Sequence, residues 1–476
     1  IKSRERGVDM VCPQIIQHER LATKIFGTLP VGNLELFTDS RAVVPGGMFV
    51  ALVGESFDAF NFIAAVADGG AQVIVCQNAI GRSEIVEGFT LQYPDCCFII
   101  VEDSLKFLQQ LAHAHLKNWK KSAGGKVLAI TGSNGKTTYK NMLRNFLQSV
   151  VGDQLHATDG NFNNHIGVPL TIFGLTLDHR YLVIELGTNH PGEKELLCNI
   201  AMPDGGLITN IGNAHLEFFH SEENIFKEKS TLYHYVREKR GEMPFITCGD
   251  DPFLKKLSPF AGCRSWGEQN GEVRVTLGSD QQQVMLNLPD GVVVKLENEH
   301  IIGEHNFKNL AATFLMAVTI FPDKLEHLVQ AASDFKPTVN RSSWIERDQR
   351  HYFLDAYNAN PASMEIALRS FVTHCQQKGV EMDKIGAVLG DMNELGEGAP
   401  NFHRQIGELL SSLGVGLAIF VGRFAPDYQQ GFGDGAHIYS SVKELAASWH
   451  KVICGPNYII IKGSRSLQLE SLIDIN

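Results

Sequence analysis

No stretch of the 476 residues approaches the roughly 18 uncharged apolar residues that a bilayer-spanning helix requires, so membrane insertion is not expected. The opening segment IKSRERGVDM carries charge and leads into no apolar core of a secretory signal, which predicts a cytoplasmic protein. Nine cysteines are present without a single C-x-x-C pair, and only Cys96 and Cys97 are adjacent. That usage speaks against a disulfide framework or a zinc site and for buried reduced thiols. Runs of like charge are also missing, and the net charge is -11, so there is no electrostatic footprint for nucleic acid. Any phosphate-bearing ligand has to be held by local groups. Internal repeats, heptads and low-complexity tracts are absent too, which leaves neither a solenoid nor a fibrous reading.

What is present fits a folded multidomain protein: 44% hydrophobic and 20% charged residues, in a chain longer than one hydrophobic core usually spans. Three domains are expected, all α/β. Residues 1–103 contain the extended runs AQVIVC and CFIIVED between glycine-containing connections, a small N-terminal α/β domain. A helix over SLKFLQQLAHAHLKNW and the polar-glycine stretch KSAGG lead into residues 104–336. There KVLAI, YLVIEL and GLITNI alternate with helical segments, the signature of a central parallel-sheet domain. GEVRVTLGSDQQQVMLNLPDGVVVKLE turns like an antiparallel meander and predicts an added antiparallel sheet. After Lys336-Pro337, the runs HYFLDA, KIGAVLG, GLAIFVG and YIIIKG are spaced for intervening helices, so residues 337–476 read as a C-terminal Rossmann-like domain. Hinges are expected near residues 104 and 337.

The strongest local signal is KVLAITGSNGKTTYKNMLRNFL. A β-rich run precedes Gly132, Ser133, Asn134, Gly135, Lys136, Thr137 and Thr138, and Met142, Leu143, Phe146 and Leu147 give the following helix an apolar face. Glycines let the backbone wrap closely around an anion, and free amides at a helix start face it. Lys136 is placed to neutralise β- and γ-phosphate charge, and Thr137 to ligate magnesium. Where the generic phosphate-loop pattern begins with glycine, this chain has Ile130. Glu185 closes YLVIEL, where a parallel strand would present it to the nucleotide as a second magnesium ligand. Missing, by contrast, is the N-K-x-D motif that reads guanine.

TGSNGKTT resembles the loop of Mur ligases and folylpolyglutamate synthases, and further segments resemble the Mur ligases along nearly the whole chain. These are TDSRAVVPGGMFVAL, TNIGNAHLEFF, GEHNFKNLAATF, LDAYNANPASM and VLGDMNELGE. The resemblance implies a ligase that forms an amide bond through an acyl phosphate, using ATP and two magnesium ions. It implies catalytic or metal-binding roles for Lys136, Glu185, His215 and Lys229, the last as a carbamylated lysine, with Lys227 left at the surface. Asn306 and Asn309 become adenine contacts, and Arg341 and Asp355 further nucleotide contacts. Asp39, Ser40 and Arg41 would hold the UDP end of the substrate, with Asn163, Asn164, Tyr357, Asn358 and Asn360 near the peptide ends. For Asn163 and Asn164, turn chemistry is an equal reading.

YNANP stands where an Asp-Asn-Pro-Arg segment would mark a ligase adding the third stem-peptide residue, so the implied partners are UDP-N-acetylmuramoyl-tripeptide and D-alanyl-D-alanine, acted on by a monomer. Two departures bear on this. Asp58-Ala59-Phe60 replaces an expected Asp-Gly-His, and Asn340 replaces a glycine before Arg341. The alternatives that stay open are the third-residue ligase and a nucleotide-binding scaffold without catalysis.

Overall fold

The computed structural model describes residues 10–212, 216–278 and 282–474. Among them are three separate β-sheets, one for each expected region. The first has a parallel centre, Leu34–Phe37, Met48–Ala51, Val73–Gln77 and Cys97–Val101, closed at its edges by the short antiparallel strands Met10–Val11 and Lys24–Phe26. Val73, Ile74, Val75 and Cys76 are all buried, as expected of a strand covered on both faces.

The central sheet has nine strands. Leu155–Ala157, Tyr181–Glu185, Lys126–Thr131, Gly205–Ile208, Phe245–Cys248, Cys263–Gly267 and Val273–Leu277 lie parallel in that spatial order, and Gln283–Asn287 and Val293–Glu297 continue it antiparallel. The meander is therefore not a separate added sheet. Trp266 and Gly267 pair in parallel with Val273 and Arg274, which carries the hydrogen-bond ladder across without a break. Alternation of exposed and buried residues in Val273–Leu277 and Val293–Glu297 shows one wet face, the pattern that suggested an added antiparallel sheet.

The third sheet runs Ser343–Arg347, Arg350–Asp355, Tyr458–Lys462, Ile385–Gly390, Leu417–Val421 and His437–Tyr439, parallel except for its first strand. Apolar clusters fill both of its faces.

At the first junction the structure departs from the expected hinge. Asp103 caps a helix, Ser104–Ala123, that runs through the predicted polar linker and stops only where Gly124 adopts a left-handed φ of 63°. Phe107, Leu108, Leu111 and Trp119 of this helix belong to one cluster that also holds Val50, Val73 and Ile99 of the first sheet and Val127, Ala129 and Ile184 of the central sheet. Swinging the first sheet about residue 104 would break a shared core. The third sheet has no such helix in common, although Ile302 of the central region is buried in its cluster.

Candidate active site

The phosphate loop, Glu185, Asn210 and Asp355 all stand at or just past the carboxyl ends of parallel strands. Val127, Leu128, Ala129 and Ile130 are fully buried, and the chain then turns through residues 132–135 into the helix Lys136–Val151. Gly132 has φ 147° and lies against Thr209, whose hydroxyl occupies the place a Cβ would need. Thr209 and Asn210, just past the strand Gly205–Ile208, also shape the loop. Thr209 Oγ1 donates to the Asn134 carbonyl at 2.6 Å, and Asn210 Oδ1 accepts from the Asn134 amide at 3.1 Å. Lys136 folds back so that its Nζ donates to the carbonyls of Gly132 at 2.9 Å and Ser133 at 3.2 Å. Desolvation lowers its pKa, opposed by the attraction of Glu185.

Glu185 is buried at the next strand end, where one carboxylate oxygen accepts from Thr137 Oγ1 and the other from Asn163 Nδ2, both at 2.8 Å. Two hard oxygen donors beside a phosphate loop suit magnesium, which takes one or two protein oxygens and completes its shell with phosphate and water. No group of three or more His, Cys, Asp or Glu able to cage a metal occurs among the described residues. A softer transition metal is not what this donor set favours.

Lys229 lies on the helix Glu222–Glu238, 1% exposed, whereas Lys227 two positions earlier is exposed. Burial first, then the positive charges of Lys136 and Lys194, push the Lys229 amine well below the usual lysine range, against the pull of Glu228. Burial and like charge thus both favour the neutral amine over the charged one.

The third sheet supplies the facing wall of a cavity of about 330 Å³ lined by the loop, Glu185, Asn306, Asn309, Arg341 and Tyr357. Asn360 Nδ2 reaches across to Asn134 Oδ1 at 2.6 Å. The Arg341 guanidinium sits 3.7 Å from the centre of the Tyr357 ring. Asp355 accepts from Lys462 Nζ at 2.5 Å and from the Ser342 amide at 3.2 Å. Asn306 uses one N–H on the Ile302 carbonyl at 2.9 Å, and its Oδ1 accepts from Asn309 at 3.4 Å.

Comparison with known proteins places this geometry. Residues 130–317 match the Mur ligase middle domain, and residues 340–465 match the Mur ligase glutamate ligase domain. The UDP-N-acetylmuramoyl-tripeptide--D-alanyl-D-alanine ligase of Bacillus subtilis is 30% identical over 96% of this chain and 97% of its own length. The chain belongs to the Mur ligase family. The Escherichia coli ligase of the same name is 29% identical over 92% of each chain. A crystal structure of MurF from Acinetobacter baumannii superposes with a TM-score of 0.82, covering 98% of this chain and 99% of that one at 29% identity.

Gly132 and Lys229 lie outside the lining, but within this Mur ligase residues 133–138, Glu185, Asn163, Asn306, Asn309, Arg341, Asp355, Tyr357, Asn358 and Asn360 all line one cavity. Asn164 does not. It is exposed, and its Oδ1 accepts from the amides of Ile166 and Gly167, the turn role that was the equal reading. Asp39, Ser40 and Arg41 lie apart, at the carboxyl end of a first-sheet strand. There Arg41 grips Asp39 with two bonds of 2.9 and 2.7 Å, and both residues are exposed. His215 lies outside the described residues.

At the Asp58-Ala59-Phe60 departure, Asp58 caps a short turn and pairs with Arg82, whose guanidinium lies 4.3 Å above the Phe60 ring. Asp391, of the VLGDMNELGE segment, accepts from the amides of Arg423 and Phe424. Thr209, Asn210, Ser342, Lys194 and Glu228 were not singled out from sequence. Only the first two carried a signal, as polar residues ending the run GLITN.

Proposed function

We propose that this chain joins D-alanyl-D-alanine to UDP-N-acetylmuramoyl-tripeptide at the expense of ATP, in cytoplasmic peptidoglycan precursor synthesis. The observation that carries the reading is the single cavity in which the Lys136 loop meets the Tyr357–Asn360 segment, joined by the Asn134–Asn360 bond. It agrees with the names of the relatives matched over nearly the full chain.

In this reading the terminal carboxylate of the tripeptide attacks the γ-phosphorus, a C–O–P bond forms, and ADP leaves. The dipeptide amine then attacks the acyl carbon, the C–N bond forms, and phosphate departs with the C–O electron pair while the amine loses a proton. Such a transfer needs placed charge more than a protein nucleophile. Lys136 holds the phosphates; Thr137, Glu185 and a Lys229 carbamate, helped by His215, hold two magnesium ions, and Asn163 orients Glu185. When bound, magnesium neutralises phosphate charge. Asn306 and Asn309 read adenine, and Arg341 and Asp355 hold the rest of the nucleotide. Tyr357, Asn358 and Asn360 receive the dipeptide, and Asp39, Ser40 and Arg41 the UDP end.

Residues 1–103 thus serve the UDP-sugar, 104–336 ATP, and 337–476 close over both in a monomer, keeping water from the acyl phosphate. No helix among the described residues is long and apolar enough to cross a membrane.

Phosphate release from ATP, magnesium and the tripeptide nucleotide tests this against a panel of acceptors. Release that requires D-alanyl-D-alanine is the expected result. Preference for single amino acids would instead make the chain a third-residue ligase, and silence with every acceptor would leave a nucleotide-binding scaffold.

A further inference from the structure

Two charged side chains are buried behind the cavity without lining it: Lys194, with no exposed surface, and Glu228, 8% exposed. Removing an ion from water costs several kcal/mol unless its bonds replace the lost hydration, so a site that needed only filling would use apolar side chains. These two make specific bonds. Lys194 lies in the first turn of the helix Glu193–Ala201, and its Nζ reaches back to the carbonyl of Leu186, the residue after Glu185, at 2.5 Å. The same carbonyl accepts from Oγ1 of Thr131, the residue before Gly132, at 2.9 Å. Glu228 accepts the backbone N–H groups of Gly192 at 2.8 Å and Lys194 at 2.7 Å, and its chain neighbour is Lys229.

A continuous bonded path therefore leads from the phosphate-loop strand to the strand end bearing Glu185, on through the start of the Glu193 helix, and into the helix bearing Lys229. Groups that orient metal-holding side chains from behind commonly control metal affinity without touching the ion.

We propose that Lys194 and Glu228 are positioning residues that fix the separation of Glu185 from Lys229 and so set the magnesium affinity of the site. The proposal rests on the ligase reading for the Lys229 carbamate as a magnesium ligand and for its turnover readout. The test uses the full chain with Lys194→Met, which keeps the length of the side chain without its charge, and Glu228→Gln, which keeps its shape. For each, the magnesium concentration giving half-maximal binding of a fluorescent ADP analogue is measured beside that giving half-maximal phosphate release. Both should rise by about tenfold or more in each variant, the usual effect of such support residues. The KM for the dipeptide should stay unchanged.

Unaltered magnesium dependence would overturn the proposal, as would losses in every parameter that merely follow a lowered melting temperature. If Lys194→Met does not fold, Glu228→Gln decides alone, because the glutamine oxygen can still accept one of the two amides. Nucleotide binding needs no acceptor, so the positioning claim stays testable even if the unaltered chain releases no phosphate with the dipeptide. That silence would count against the ligase reading instead.

Discussion

The charges of Lys136 and Lys229 act on each other, yet their surroundings suit them to different work. Lys136 is held over the loop by two carbonyls and stays near Glu185, whereas Lys229 is enclosed and faces two other cations. Lys136→Ala should leave the fold intact and lower turnover by about 10²–10³-fold, the scale for losing one charge-stabilising donor; steady-state rates beside a melting curve would check it. For Lys229, a carbamate requires dissolved CO2, so stripping bicarbonate should reduce activity and restoring it should recover the rate. Indifference to bicarbonate would remove the carbamate from the account. At this scale the sequence was legible wherever neighbours in the chain are neighbours in the site, as in Gly132–Thr138. Thr209, Asn210, Lys194 and Glu228 escaped because their partners are far away in sequence and no local pattern marks them.

Among the secondary elements, buried parallel strands were readable as continuous apolar runs. The edge strands Met10–Val11, Lys24–Phe26 and His437–Tyr439 were not, being two or three residues long with no period to detect. The meander was recognised, but alternation in a strand says nothing about which sheet it joins. The helix Pro361–Gln377 carries a sharper lesson, because its cap does two jobs. Asn360 Oδ1 accepts from the Ser363 amide at 2.9 Å while its Nδ2 donates to Asn134. Asn360→Asp keeps a good cap but loses the donor and adds negative charge beside the phosphates. The melting temperature should hold while the KM for ATP rises about tenfold, the equivalent of a hydrogen bond lost at a buried partner. A fall in stability without a change in KM would assign Asn360 to the helix alone.

For the whole molecule, the three-sheet plan was legible, but the mechanical coupling was not, since a helix shared by two cores looks like a linker in sequence. With the first two sheets fused through Ser104–Ala123, relative motion belongs near residue 337, where Asn340 and Ser342 carry φ of 68° and 52°. Small-angle scattering should therefore show the chain contract on binding nucleotide and tripeptide substrate together, and an unchanged radius of gyration would argue against closure.

Burial also pushes His156 and His374 down to about 4 from an ordinary 6.5. Between those values the unfolded chain binds more protons than the folded one at these positions, so stability falls as pH drops from 6.5 toward 4. His374→Phe, beside Trp344, should flatten that loss in melting curves taken across the range.

The central claim is that one cavity activates a carboxylate and hands it to a dipeptide. The most direct measurement supplies tripeptide nucleotide labelled with 18O in its terminal carboxylate, together with ATP, magnesium and D-alanyl-D-alanine, and analyses the products by mass. The account predicts one labelled oxygen in each phosphate released and a nucleotide product heavier by the whole dipeptide. Unlabelled phosphate, or a product extended by a single residue, would contradict it.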